Sequence, residues 1–226
     1  MNRDITILLL LSLSFGTVTD IDGNVYQTVQ IGDQLWMAEN LKTTHYNDGS
    51  EIPNIINNDD WSGLSTGAYG DYDNNPTNSE TYGRLYNWYT VDDSRGICPD
   101  GYHIPSDDEY KQLELYLGMS ESESNHIGWR GTNEGSQLAG HADLWNNGDL
   151  ENNSEFGTSG FSAFPAGYRT DTFGNYTGMG NWGYFWSSSE NINNYSWYRI
   201  LNYNYSNVFR YSDYKQRGMS IRCVAD

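Results

Sequence analysis

The sequence predicts a single α+β domain with a small antiparallel sheet, about two helices and long irregular loops. Aromatic residues make up 15% of the 226 residues, and glycine occurs 24 times while proline occurs only 5 times. This composition is typical of turn-rich folds with much β-structure and differs from that of helical bundles, which are rich in Ala, Leu, Glu and Lys. A chain of this length can bury a sizeable core within one domain.

The N-terminus has the pattern of a secretory signal peptide. Arg3 precedes an apolar run from Ile5 to Phe15, and small residues follow near Gly16. The run is too short to cross a bilayer as a stable helix, although Asp4 offsets the charge of Arg3. We therefore expect residues 1–16 to be a signal peptide and the remainder to be secreted or held at the cell surface. A misassigned start of the chain is the alternative.

The first elements of the domain, which spans residues 17–226, are predicted to be strands. Apolar residues alternate between Thr17 and Ile31 around Asp22-Gly23, a dipeptide typical of tight hairpin turns. The apolar segment 34–41 predicts a further strand.

The middle of the chain predicts loops and the helices. Residues 43–82 are polar and rich in turn residues, which indicates a long loop. Residues 82–91 carry apolar side chains at helical spacing. The clearest helix begins after Ser106, because Ser106 and Glu109 have the spacing of a capping box and Gly118 can end the helix.

A recognition surface is predicted near the C-terminus, where 20 of the 34 residues from Asn181 to Tyr214 are Asn, Tyr or Ser. Tyr supplies a large and rigid contact surface, and Asn and Ser form adaptable hydrogen bonds, as in antibody loops. Ordinary polar turns and strand faces have a similar composition, so a purely structural role remains the alternative. The predicted ligand-binding residues are Tyr184, Asn191, Asn193, Asn194, Tyr195, Tyr198, Asn202, Tyr203, Asn204, Tyr205, Asn207, Phe209, Tyr211, Asp213 and Tyr214.

Three segments carry a resemblance to a known family. Phe-Trp-Ser-Ser-Ser-Glu at 185–190, Trp-Tyr-Arg-Ile-Leu at 197–201 and Gly-Met-Ser-Ile-Arg-Cys-Val at 218–224 resemble the end of the Fibrobacter succinogenes major paralogous domain. The similarity covers roughly residues 17–224. It implies a C-type lectin-like fold, related to that of the formylglycine-generating sulfatase modifiers.

The resemblance extends to the variable proteins of diversity-generating retroelements. Those proteins carry a mutable C-terminal segment, in which error-prone copying at adenines turns Asn codons into codons for Tyr, Ser or Asp. By this resemblance, residues 181–216 approximately would form a variable region.

The function that this resemblance and the composition imply is non-enzymatic binding and display. The Asn/Tyr/Ser-rich surface would bind a protein or glycan ligand on another cell or surface. An exported lectin-like domain with a fixed carbohydrate or protein ligand is the alternative. A modifying enzyme of the formylglycine-generating type is a third and weaker interpretation.

The only two cysteines, Cys98 and Cys223, are candidates for a disulfide. An even number of cysteines in an exported chain allows one bond, and the resemblance places both in family segments, Gly-Ile-Cys-Pro and Ser-Ile-Arg-Cys-Val. Two free buried thiols are the alternative. The sulfatase modifiers use reactive cysteines as a copper site, but only Cys223 lies in the corresponding region.

Charge and residue pattern argue against several other functions. The net charge of −18 repels nucleic acid and anionic lipid, so we expect neither nucleic-acid binding nor membrane insertion of the mature domain. The four histidines lack metal-ligand spacing, and no Gly-x-Ser-x-Gly sequence is present. Asp71–Asn75 begins like a calcium loop, but Pro76 stands where such a loop needs Gly. We expect no catalytic site, no metal site and no cofactor, with calcium as the open alternative.

Overall fold

The computed structural model describes residues 15–226 and has an α+β fold, as predicted. The strands are β1 (Phe15–Thr19), β2 (Val25–Ile31), β3 (Gln34–Met37), β4 (Tyr69–Gly70), β5 (Leu85–Tyr86), β6 (Tyr102–His103), β7 (Gly128–Arg130), β8 (Ala166–Arg169), β9 (Tyr176–Met179), β10 (Trp182–Ile192), β11 (Tyr195–Asn202), β12 (Tyr205–Tyr214) and β13 (Val224–Ala225). The helices are α1 (Asn58–Ser62), α2 (Pro76–Tyr82), α3 (Trp88–Val91), α4 (Asp107–Tyr116), α5 (Glu121–Ser124), α6 (Glu134–Leu138) and α7 (Asp149–Asn152).

The strands form three sheets within the described residues. A five-stranded sheet has the order β1-β2-β3-β13-β6, and a six-stranded sheet has the order β7-β12-β11-β10-β8-β9. Strands β4 and β5 form a small separate pair. All pairings are antiparallel except that of β8 with β10. The C-terminal strand β13 lies inside the first sheet, so the N-terminal hairpin and the chain end share one layer.

The predicted N-terminal hairpin is confirmed. Strands β1 and β2 pair from Phe15 with Val29 to Thr19 with Val25, so the turn contains Asp22-Gly23. Strand β3 pairs next with β2. The proposed signal peptide lies largely outside the described residues, and its last two residues, Phe15 and Gly16, belong to β1.

The helix with a capping box is also confirmed. The Ser106 hydroxyl accepts a hydrogen bond from the Glu109 amide at 3.2 Å, and the Glu109 carboxylate accepts one from the Ser106 amide at 2.7 Å. The resulting helix α4 is the longest of the seven helices in residues 15–226, where about two were expected. Most of the others are single turns that begin at local Asn or Ser caps.

The segment 43–91 is more structured than predicted. It contains α1, β4 and α2 within the expected loop, and the expected helix over 82–91 is interrupted. Gly83 ends α2 in a left-handed conformation with φ 77°, and a Cβ at this position would lie 2.6 Å from the Asn40 side chain. Strand β5 then separates α2 from α3.

The centre of the six-stranded sheet is packed on both faces. Successive side chains of a strand point to opposite sides, so Trp186 of β10 joins a cluster with Tyr86 and Met219, and Phe185 joins a cluster with Trp36. The half-buried aromatic side chains lie outside this centre, toward β7 and β8.

A buried ion network holds α4 against the second face of the sheet. Asp107 accepts hydrogen bonds from Arg199 at 2.8 Å and from Arg210 at 2.6 Å. Glu114 pairs with Arg199 at 2.7 Å and with Arg130 at 2.8 Å. Burial raises the pKa of Asp107, but the two arginines outweigh this effect and hold it well below its usual range.

The predicted disulfide is confirmed between Cys98 and Cys223, whose Cα atoms lie 6.0 Å apart. Both cysteines are buried, and the bond ties the middle of the chain to the segment before β13. Within residues 15–226, no helix combines the length and apolar character needed to span a bilayer.

Candidate functional site

A row of apolar side chains crosses the face of the six-stranded sheet opposite the one that packs against α4. Trp129, Phe209, Ile200 and Tyr184 occupy directly paired positions on β7, β12, β11 and β10. Tyr168 of β8 continues the row, with its ring centroid 4.3 Å from that of Tyr184. Because neighbouring strands lie about 4.8 Å apart, the row extends over about 19 Å.

Further aromatic residues flank this row on the same face. Tyr198 pairs with Tyr211 on one side, and Trp182 lies opposite Asn202 on the other. The Trp129 ring also contacts Tyr205, with centroids 4.4 Å apart. We use the name aromatic face for this surface, which consists of Trp129, Tyr168, Trp182, Tyr184, Tyr198, Ile200, Tyr205, Phe209 and Tyr211.

The side chains at the centre of the aromatic face are more buried than those at its margin. Tyr184, Tyr198 and Ile200 are 6%, 4% and 4% exposed, whereas Tyr205 and Tyr211 are 47% and 48% exposed. The rings of Tyr184 and Tyr198 stack at 5.8 Å. We call this arrangement a trough, because buried side chains at its centre lie between exposed tyrosines at its margin.

An ionic group borders the trough. Arg217 pairs with Asp213 at 2.5 Å and with Asp171 at 2.9 Å, and its guanidinium lies 5.2 Å from the centre of the Tyr168 ring. Burial raises the pKa of Asp213 and outweighs the lowering effect of Arg217. Burial also raises the pKa of Tyr184 above its ordinary value. At neutral pH Tyr184 is therefore a neutral phenol, suited to stacking and hydrogen bonding.

The structure brings together about half of the predicted ligand-binding residues. Those that belong to the aromatic face or its border are Tyr184, Tyr198, Asn202, Tyr205, Phe209, Tyr211 and Asp213. These positions share one side of the sheet because they alternate along paired strands. Among them, Tyr205 and Tyr211 are the most exposed.

Asn202 has a structural place in this arrangement and is only 2% exposed. Its side chain accepts a hydrogen bond from the Asn204 amide at 2.9 Å and donates one to the Asn181 carbonyl at 3.4 Å. It therefore shapes the turn between β11 and β12. Neighbouring rings likewise cover the rings of Tyr184 and Tyr198. Ligand binding by these three residues stays a prediction.

The remaining predicted residues lie elsewhere. The tip of the β10–β11 hairpin carries three exposed asparagines, and Tyr195 and Tyr214 stack beside it with centroids 4.6 Å apart. Tyr203 lies in the β11–β12 turn and accepts a backbone hydrogen bond from Leu150 at 3.0 Å. Asn207 packs its backbone against Gly135 of α6. The residues of the hairpin tip are Asn191, Asn193 and Asn194.

Several residues of the aromatic face were not predicted. Trp129 and Tyr168 lie far from the C-terminal stretch in sequence, and only the strand order places them beside it. Trp182 lies within the stretch, two residues before Tyr184 on β10, so both side chains point to the same side of the sheet. This alternation is the pattern that could identify it.

In the described part of the chain, no three His, Cys, Asp or Glu side chains are placed to hold a metal ion together. Asp71, the first residue of the calcium-like loop, has protein partners: its carboxylate accepts a hydrogen bond from Ser79 at 2.5 Å and pairs with Arg84 at 3.3 Å. Calcium binding stays an untested prediction.

The fold and this surface define a disulfide-bonded α+β domain whose largest sheet presents an aromatic face. A family model described as the Fibrobacter succinogenes major domain matches residues 29–225, and the chain belongs to this family. No curated protein and no solved structure matches the chain.

Proposed function

We propose that the chain is a non-enzymatic binding protein that holds a protein partner on its aromatic face. The row of four aromatic residues and Ile200, from Trp129 to Tyr168, is the observation that carries this proposal. Buried centres of protein interfaces are rich in Tyr, Trp, Phe and Arg, and these residues contribute most of the binding energy. The extent of the row, about 19 Å, supports a macromolecular partner over a small ligand, which would require a concave pocket.

The negative charge of the chain indicates which kind of partner surface fits the aromatic face. The chain carries a net charge of −18, and Asp213 and Asp171 outnumber Arg217 at the border of the trough. Aromatic rings attract cations through their negative faces. A basic or neutral surface of the partner, with Arg or Lys side chains placed over the rings, therefore fits best.

The scaffold beneath the face supports a pre-organised mode of binding. The ion network around Asp107 fixes β11 and β12 from below, and the disulfide of Cys98 and Cys223 fixes the chain end. A rigid surface loses less conformational entropy on binding. We propose no reaction for this domain, and both cysteines are bonded and provide no thiol.

We further propose a C-type lectin-like fold, export from the cell, and membership among the variable proteins of diversity-generating retroelements. Exposed positions such as Asn194, Tyr205, Tyr211 and Tyr214 can accept many side chains without disturbing the core. Sequencing the gene from sibling cells, together with any adjacent template repeat, tests the last proposal. Substitutions confined to exposed positions and to template adenines support it, and identical sequences in all cells contradict it.

A domain of the same family with a fixed ligand is the second candidate. The burial of Tyr184, Tyr198 and Asn202 favours it, because substitutions at these positions would disturb the sheet and the β11–β12 turn.

Binding of the fluorescently labelled domain to intact cells of a mixed bacterial community tests the main proposal. We expect Tyr205→Ala combined with Tyr211→Ala to lower the affinity at least tenfold, since the two rings supply exposed contact area. Tyr116→Ala is the matched control, because Tyr116 is 57% exposed on α4, away from the face.

Treatment of the cells before labelling separates the classes of partner. Loss of binding after protease treatment supports a protein partner, and loss only after glycosidase treatment contradicts it in favour of a glycan. Equal binding by the double variant and the wild type would remove the aromatic face from consideration.

A further inference from the structure

A cavity of about 280 Å³ lies apart from the aromatic face, between the end of β3 and the loops that flank α6 and β8. One wall consists of Gln27, Ala38 and Glu39. The opposite wall consists of Gly160, Ser162 and Phe164, and His141 closes a third side. The volume is close to the lower limit of natural ligand pockets, which suits a single ring and its substituents.

A buried arginine holds the two main walls together. Arg222 is fully buried and donates hydrogen bonds to the Met37 carbonyl at 3.2 Å and to the Asn40 side chain at 2.7 Å on one wall. On the other wall it donates to the carbonyls of Phe161 and, at 3.2 Å, Ser162.

Among the described residues, Arg222 has no carboxylate partner. Burial lowers the pKa of its guanidinium to about 9. Attraction to the Glu39 carboxylate partly offsets this burial, and the hydrogen bonds of Arg222 to both walls fix the geometry of the cavity.

The backbone on both sides of the cavity is strained. His141 and Ser162 have φ angles of 57° and 56°, a left-handed conformation that few residues other than glycine adopt. The two segments approach closely, since a Cβ at Gly140 would lie 2.6 Å from the Ser162 Cα. The His141 ring stacks on Phe164 with centroids 4.5 Å apart and planes within 14°. Strain of this kind is concentrated at functional sites.

The polar groups of the cavity are available to a neutral ligand. Glu39 accepts hydrogen bonds from the Gln27 amide at 3.1 Å and from Lys42 at 3.2 Å, so its charge is balanced. The Ser162 hydroxyl has a long hydrogen bond of 3.3 Å to the Gly160 carbonyl. Within residues 15–226, the His141 ring nitrogens and the Gln27 carboxamide make no hydrogen bond, which leaves donors and acceptors around an aromatic wall.

We propose that this cavity binds one neutral pyranose unit, a hexose or an N-acetylhexosamine. The apolar face of such a ring packs on the stacked pair of His141 and Phe164, and its hydroxyl groups bond to Gln27, Glu39 and Ser162. A charged ligand fits less well, because the carboxylate of Glu39 already pairs with Lys42. The site is separate from the aromatic face and does not depend on the function proposed for it.

Saturation-transfer NMR with the methyl glycosides of glucose, galactose, mannose and N-acetylglucosamine tests the proposal. We expect at least one glycoside to receive saturation and to shift the imidazole resonances of His141. His141→Gly should weaken binding at least tenfold. Its thermal stability should stay the same or rise, because glycine adopts the left-handed conformation without strain.

His126→Gly is the control, since His126 is exposed and lies outside the cavity. It should leave glycoside binding unchanged. The proposal is overturned if none of the four glycosides shifts His141, or if binding persists in the folded His141→Gly protein. Saturation transfer that depends on Tyr211 instead would also overturn it, and would assign the sugar to the aromatic face.

Discussion

At the scale of single residues, Asp107 joins α4 to two strands through buried ion pairs. It opens α4 and receives Arg199 and Arg210 from two adjacent strands, with all three side chains buried. Removing one partner of a buried ion pair leaves uncompensated charge, which typically costs about 3–5 kcal/mol. We therefore expect Asp107→Asn to lower the free energy of unfolding by about 3–5 kcal/mol in urea denaturation.

The neighbouring Asp108 provides the matched control for this prediction. Its side chain is 82% exposed and pairs only with Lys111. Asp108→Asn should change the free energy of unfolding by less than about 0.5 kcal/mol. Similar losses in both variants would assign the effect to the helix N-terminus instead of the buried network.

A second residue-scale prediction concerns His103 and pH. Burial lowers the pKa of His103, but hydrogen bonds to Asp226 at 2.8 Å and Glu109 at 2.7 Å outweigh it and raise the pKa above its ordinary value. The stabilising contribution is therefore full below the unfolded pKa of about 6.5 and is lost as pH rises through the folded pKa.

The pH dependence of the urea midpoint checks this prediction. Between acidic and alkaline pH, the wild type should lose stability that His103→Gln does not lose. The effect should be small, because the His103 side chain is 39% exposed and solvent screens its partners. Identical pH profiles would show that the two hydrogen bonds do not favour the protonated ring.

The contacts of individual side chains are the features that are hardest to predict from the sequence. No sequence pattern indicates that the His103 ring lies partly exposed between two carboxylates. The partners of Asp107 lie 92 and 103 positions along the chain. Such contacts follow from strand register, and one sequence contains no local signal for them.

At the scale of elements, α4 shows when local sequence is sufficient. Ser106 and Glu109 satisfy each other's backbone amides, so the helix start is specified within four residues. We expect Ser106→Ala to lower the free energy of unfolding by about 1 kcal/mol in urea denaturation. Ser120→Ala, which removes the cap of the one-turn helix α5, should have a smaller effect. The reverse order would show that α5 contributes more to folding than its length indicates.

The hairpin of β1 and β2 was equally predictable, because alternation and an Asp-Gly turn agree over one short segment. The short helices between 58 and 91 were not. Each has one or two turns, and its Asn cap resembles an ordinary turn residue. The packing of Trp61 in α1 and Trp88 in α3 stabilises the helical conformation, and local sequence does not show it.

At the scale of the whole molecule, the aromatic face depends on the order of five strands, β7, β12, β11, β10 and β8. The C-terminal stretch supplies its centre, and composition alone identified most of that part. Trp129 and Tyr168 complete the row only because β7 pairs with β12 and β8 pairs with β10. Composition also could not separate exposed from buried tyrosines, because that depends on which side of the strand faces the core.

The disulfide acts at this largest scale, because it joins residues 125 positions apart. Closing a loop of this length restricts the unfolded chain, and the chain-entropy model assigns the bond about 4–5 kcal/mol. We expect Cys98→Ala combined with Cys223→Ala to lower the free energy of unfolding by about that amount. Equilibrium denaturation in urea, under non-reducing conditions, measures the difference.

A reducing agent provides the control for the disulfide prediction. It should destabilise the wild type to the level of the double variant and leave the double variant unchanged, since Cys98 and Cys223 are the only cysteines of the chain. A double variant as stable as the oxidised wild type would mean that the cores on both sides of the sheet hold the chain end without the bond. In that case the disulfide would limit local opening of β13 near Met37, which amide hydrogen exchange of this strand would detect.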